Sequence, residues 1–84
     1  MASHDDIKTT VKGFILAEFL PGEDPNLFQD STPLVSGGIL DSLATLRLVS
    51  FLQEQFGVEI EPHEMTTEHL DTLTAITDLV EAKL

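Results

Sequence analysis

Residues 41 to 57 carry the signals for both ends of one helix. Asp41 places a carboxylate where it can accept hydrogen bonds from the N–H groups of a first turn, and Gly57 stands where a C-terminal cap is needed. Ser42 then opens the helix, which runs to Phe56. At about 100° per residue, Leu48, Val49, Leu52 and Phe56 cluster on one side. Leu43, Leu46, Arg47, Ser50 and Glu54 fall on another, with Ser42 at its upper edge and Phe51 between the two faces. A helix with one apolar side needs partner surfaces, so the flanking sequence must provide them. Leu43 and Leu46, by contrast, are left exposed together close to Ser42, and such a grouping is informative.

Two further segments repeat the helical period. Ile7, Val11, Phe14 and Ile15, with Phe19 nearby, give residues 5–20 an apolar face. Asp5 and Asp6 suit its positive N-terminal end, and Pro21-Gly22 stops it. Gly13 is a weak point costing up to about 1 kcal/mol, with close packing against a neighbour as its compensation. Met1 to His4 read as a frayed end. Near the C-terminus, Thr66 caps a short helix through Leu70, and Asp71 or Thr72 caps the last helix, which ends near Lys83. Leu73, Ile76, Leu79, Val80 and Leu84 form its apolar face. Val58-Glu59-Ile60 is too short for a strand and lays Val58 and Ile60 on the core. Residues 21–41 have no period and hold three prolines and three glycines, a connection long enough to suggest function. Leu27, Phe28, Leu34, Val35, Ile39 and Leu40 should anchor it, Thr32-Pro33 restricts it, and Gly37-Gly38 permits a tight turn. The expectation is an all-α fold. It is a small four-helix bundle, three helices longer and one short, with a long loop between the first two and one domain over residues 5–84.

Composition narrows the function. A chain of 84 residues supports one modest core and no large enzyme cleft. Its formal net charge of −11 disfavours nucleic acid and anionic membrane as partners, and predicts a monomer. With no cysteine it has neither a disulfide framework nor a thiolate-ligated metal. No apolar stretch approaches the roughly 18 residues of a membrane span, so a cytoplasmic protein is expected. There is no glycine-rich loop ahead of Lys-Ser or Lys-Thr, and no calcium-loop spacing. His63 and His69 read as polar histidines facing solvent or half-buried, and no catalytic or metal-binding residue is expected.

Ser42 is the exception. It follows a long loop and an acidic cap at the first turn of a helix, with no visible base to activate it. As the acceptor of a phosphate ester its position makes sense, because the ester would face open N–H groups and the positive end of the helix dipole. Leu43 and Leu46 offer the enzyme that places it an apolar landing surface.

The stretch Thr32-Pro-Leu-Val-Ser-Gly-Gly-Ile-Leu-Asp-Ser-Leu-Ala-Thr-Leu-Arg-Leu48 resembles the attachment site of acyl and peptidyl carrier proteins, with Asp41-Ser42-Leu43 as the hallmark. Phe51 to Ile60 resembles the end of that family's second helix, and Thr66 to Ile76 its short third helix entering the fourth. The resemblance implies 4′-phosphopantetheine on Ser42, transferred from coenzyme A by a phosphopantetheinyl transferase, and Asp41 positioning that reaction. It implies partner docking at Leu43 and Leu46, with Arg47 and Ser50 on the same face. Cargo would ride as a thioester to downstream acyl-using enzymes.

Departures narrow the subtype. Gly38 stands four before the serine, where fatty-acid carriers have a glycine closer in, and Ala44 and Arg47 replace their usual carboxylates. The wording Gly-Ile-Leu-Asp-Ser-Leu is more similar to free-standing carriers loaded by an adenylating ligase. An aminoacyl carrier is favoured over a fatty-acyl or polyketide carrier and over a D-alanyl carrier. A non-covalent acidic adaptor is the reading from a different class.

Overall fold

Each of the three longer helices begins on a side chain that takes up an open backbone N–H. The computed structural model describes residues 3–20, 22 and 28–84. It shows α1 (His4–Phe19), α2 (Ser42–Phe56), α3 (Thr67–Leu70) and α4 (Leu73–Lys83), with a 3₁₀ turn at Pro62–Glu64. Ser3 Oγ accepts from the Asp6 N–H at 3.1 Å while Asp6 Oδ2 accepts from the Ser3 N–H at 3.4 Å. Asp41 Oδ1 accepts from the Ala44 N–H at 2.8 Å, and Thr72 Oγ1 from the Ala75 N–H at 3.1 Å. At the far end of α2, Gly57 adopts φ +68°, the left-handed cap that glycine reaches without strain. The all-α bundle of three longer helices and one short is as expected, and α2 has the boundaries its sequence signals set.

The differences are local. Of the end read as frayed, Ser3 and His4 are held in place, by the cap and by a contact between His4 Nδ1 and Glu81 Oε2 at 3.2 Å, and Met1 and Ala2 lie outside the described residues. Thr72 caps α4, so Asp71 is released for another task. Thr66 precedes α3 without a side-chain cap bond. Gly13 is exposed, and an added Cβ would meet no atom within 4 Å, so close packing does not explain it. Leu84 lies outside the core, exposed beyond the last turn of α4. Leu27 lies outside the described residues.

The core sits where α1, α2 and α4 converge. Ile7, Val11 and Ile15 of α1 meet Leu48, Val49 and Leu52 of α2, and Leu73, Ile76 and Val80 of α4. Phe28, Leu34 and Leu40 from the long loop are also buried, as are Val58 and Ile60. The Ile60 N–H donates to Gln53 Oε1 at 3.0 Å, which folds the segment after α2 back onto it. Buried Thr77 satisfies its hydroxyl on Leu73 O at 2.8 Å, so the polar group costs little. The loop's second half is tied at several points. Asp30 accepts from Lys8 Nζ of α1 at 2.7 Å, and its carbonyl accepts from the Thr74 N–H of α4 at 3.3 Å.

Candidate functional site

Ser42 occupies the first position of α2 and is exposed. Asp41 has already spent its side chain on Ala44, and its carbonyl accepts from the Thr45 N–H at 2.9 Å and the Thr45 hydroxyl at 2.8 Å. Among the described residues, the N–H groups of Ser42 and Leu43 have no acceptor. The first turn of α2 contains no acidic residue. The Ser42 hydroxyl thus stands beside two open donors at the positive end of a helix, a setting that favours an anionic ester. No base among the described residues hydrogen-bonds to it, so any chemistry at this oxygen must be brought by another enzyme.

Ser42 opens onto a cleft of about 740 Å³ between α2, the end of the long loop, and the segment through α3. Its walls combine the apolar side chains of Val35, Leu40, Leu46, Met65 and Leu70 with the hydroxyls of Thr45, Thr66 and Thr67. A phosphopantetheine group fits these residues. Its phosphate would meet the open N–H groups at Ser42, and its amide-bearing chain would lie against a mixed apolar and hydroxyl-rich wall. When attached, the group supplies a thiol on a flexible arm.

The other expected residues share the exposed side of α2 but divide between two hollows. Leu43 is 68% and Leu46 52% exposed, as their spacing indicated. Leu46 forms a ridge, lining both the cleft at Ser42 and a shallower hollow of about 350 Å³ toward α1. Arg47 and Ser50 belong to this second hollow, with Phe14 and Phe51 on its floor. Phe51 stacks on Phe14 with centroids 4.0 Å apart, which settles the face it belongs to. Arg47 Nη2 lies 3.3 Å from Glu18 Oε2 of α1. His63 is exposed and His69 half-buried.

Sequence reasoning missed Asp71, between α3 and α4. Its Oδ1 accepts from the Val35 N–H at 2.9 Å, the Ser36 N–H at 2.8 Å and the Ser36 hydroxyl at 3.1 Å. The same hydroxyl lies 2.9 Å from Oδ2, and the Asp71 carbonyl accepts from the Leu34 N–H at 2.6 Å. Hydrogen bonding from the Ser36 amide, then from its hydroxyl, holds the Asp71 carboxyl below its ordinary range. No local pattern could have revealed this, since the partners lie 35 and 36 positions away. Elsewhere, the bond from Lys83 and then that from the Glu61 amide lower the Glu64 carboxyl, and the bond to Asp30 raises Lys8.

Residues 15–80 match the family model described as "Phosphopantetheine attachment site". The chain is 40% identical over 77 residues to "D-alanyl carrier protein 1" of Lactiplantibacillus plantarum, covering 92% of each protein. It is 35% identical over 68 residues to "D-alanyl carrier protein 2" of the same organism, covering 81% of each. A chain in the solved structure described as "Crystal structure of FAD-dependent dehydrogenase" superposes with a TM-score of 0.75 at 33% identity. That match spans 97% of that chain and 83% of this one, so the matched chain is the shorter of the two. An exposed serine at a helix mouth, a cleft suited to a pantetheine arm and a family match over most of the bundle converge, and the chain belongs to the phosphopantetheine-attachment family of carrier proteins.

Proposed function

We propose that Ser42 is the attachment hydroxyl and that residues 5–84 work as one aminoacyl carrier domain, charged by an adenylating ligase. The observation that carries this reading is the exposed Ser42 hydroxyl beside two open N–H groups at the mouth of the cleft. A phosphopantetheinyl transferase would place the arm, with Asp41 holding the first turn in shape for it. Leu43, Leu46, Arg47 and Ser50 would form the docking face for the transferase, the ligase and the acyl-using enzymes that follow. The protein's own work is delivery, because a tethered thioester is presented at high effective concentration and no acid–base pair stands at Ser42. A cytoplasmic setting accords with the coenzyme A and ATP that these partners need, and no described helix is long and apolar enough to cross a membrane.

The amino-acid cargo is supported by the first turn of α2, which lacks acidic residues, and by relatives that are D-alanyl carrier proteins. D-alanine is therefore the first cargo to test. A second reading rests on the structure described as an FAD-dependent dehydrogenase. On this second reading the present chain would offer an aminoacyl thioester for oxidation by a flavin enzyme, which would appear as loss of two hydrogens from the cargo as the flavin is reduced.

Incubation with coenzyme A and a broad-specificity transferase, followed by intact mass, tests the attachment. Wild type should gain one phosphopantetheine and Ser42→Ala none. An adduct that survives Ser42→Ala would refute the assignment. Adenylating enzymes for D-alanine, other amino acids and fatty acids, each offered the modified carrier, then distinguish the cargo classes.

A further inference from the structure

Asp71 performs none of the usual tasks of an aspartate at a helix junction. Thr72 caps α4, and no lysine or arginine among the described residues pairs with the Asp71 carboxylate. What the carboxylate does is collect two successive backbone N–H groups and a hydroxyl from residues 35 and 36. Those residues open the short run that ends at Asp41 and Ser42.

The geometry of that run shows what the bonds control. Leu34 and Leu40 are both buried, and the Leu40 N–H donates to Leu34 O at 2.9 Å, closing a loop between them. Inside the loop, Gly38 adopts φ +83° and its N–H donates to Val35 O at 3.2 Å. Ser36, Gly37 and Gly38 are exposed, so burial does little to define their conformation. The Asp71 carboxylate supplies that definition. It also bridges the cleft, since Val35, whose amide it holds, lines one wall and its neighbour Leu70 lines another.

We propose that Asp71 is a positioning residue for the modification of Ser42. Through residues 35 and 36 it fixes the loop that enters α2, and so holds the serine in register with the wall formed by α3. The role rests on Ser42 being the acceptor of the arm. Loss of the carboxylate leaves Leu34 and Leu40 anchored and the helices intact, but lets the loop between them sample other conformations. Positioning errors of this kind lower the rate of a docked complex far more than its formation.

The test compares wild type, Asp71→Ala and Asp71→Asn as substrates of one transferase with coenzyme A. Asparagine keeps an oxygen at the position that accepts both amides, so it serves as the conservative rescue. Asp71→Ala should lose about tenfold in kcat with KM for the carrier unchanged, while Asp71→Asn stays within about threefold of wild type. Hydrogen exchange should quicken at Val35 and Ser36 in Asp71→Ala and remain slow in the cores of α1 and α4. Unchanged kcat overturns the role of Asp71, as does a raised KM at constant kcat, the mark of a smaller folded fraction. Unfolding of Asp71→Ala overturns it as well, because the role requires the bundle to outlast the loss. Wild type that takes up no adduct overturns the carrier reading and this role together, whereas normal modification of all three proteins overturns this role alone.

Discussion

A serine hydroxyl is a poor nucleophile, so with Ser42 as the proposed acceptor the protein would contribute placement and charge environment, and single residues would decide both. Asp71 is held below the ordinary aspartate value of 3.8 by the Ser36 amide and hydroxyl. A carboxyl depressed on folding stabilises the protein fully above its unfolded pKa, and that contribution is lost as pH falls through the lower folded value. The Ser36 amide resonance should therefore titrate with a midpoint below pH 3.8. A midpoint at or above that value would mean the carboxylate is not engaged in solution. Gly13 offers the converse case of a residue with no visible task. It lies inside α1, exposed, with nothing within 4 Å of an added Cβ. Gly13→Ala should stabilise the protein by up to about 1 kcal/mol, read from the urea midpoint, because alanine loses less backbone entropy in a helix. A lower midpoint would overturn the helix-entropy argument, because it would mean that the added methyl group is not accommodated at this open position. Gly37 is different, since a Cβ there would run into the Pro33 carbonyl.

At the scale of the helices, α2 has two faces, and the structural role of one and the docking role proposed for the other can each be tested alone. The buried face with Leu48, Val49 and Leu52 holds the bundle, while Leu43 and Leu46 face solvent. Asp41→Ala removes the cap bond to Ala44 and should cost about 1 kcal/mol of stability, seen in chemical denaturation. Leu46→Glu should change stability by no more than about 0.5 kcal/mol, yet sharply reduce loading by an adenylating ligase. Equal loading of Leu46→Glu and wild type would remove this ridge from the docking face. Both faces of α2 were legible in its sequence because cap residues and a 3.6-residue period are local signals. The exposed positions of Ser42, Leu43 and Leu46 were legible for the same reason. Asp71 was not, since its carboxylate acts across a fold that only tertiary packing assembles, and either it or Thr72 could have capped α4. The floor of the second hollow was hidden likewise: Phe51 sits between the faces of its own helix, and only Phe14 of α1 shows which way it turns.

Across the whole molecule, charge is the term left unbalanced. The chain has 4 lysines and arginines against 15 acidic residues. All of these cations are engaged within the fold: Lys8 with Asp30, Arg47 with Glu18, Lys83 with Glu64, and Lys12 over the Phe28 ring at 5.9 Å. The surface offered to partners is therefore strongly negative, and the bundle measures 30 × 26 × 19 Å. At about 0.01 M salt the Debye length is about 30 Å, so carboxylates on opposite sides still repel one another. At about 0.1 M it falls to about 10 Å, and only neighbours interact. Salt also weakens the ion pairs, but the pairs open to water, Arg47 with Glu18 above all, contribute little to stability. With a net charge of −11, repulsion spread over many carboxylates outweighs them. Adding sodium chloride across this range at pH 7 should raise the melting temperature, by roughly 4–8 °C for each kcal/mol of repulsion removed in a domain of this size. A melting temperature that falls with salt would reverse that ranking, and would make the contacts of Lys8, Arg47 and Lys83 the dominant electrostatic support of the fold.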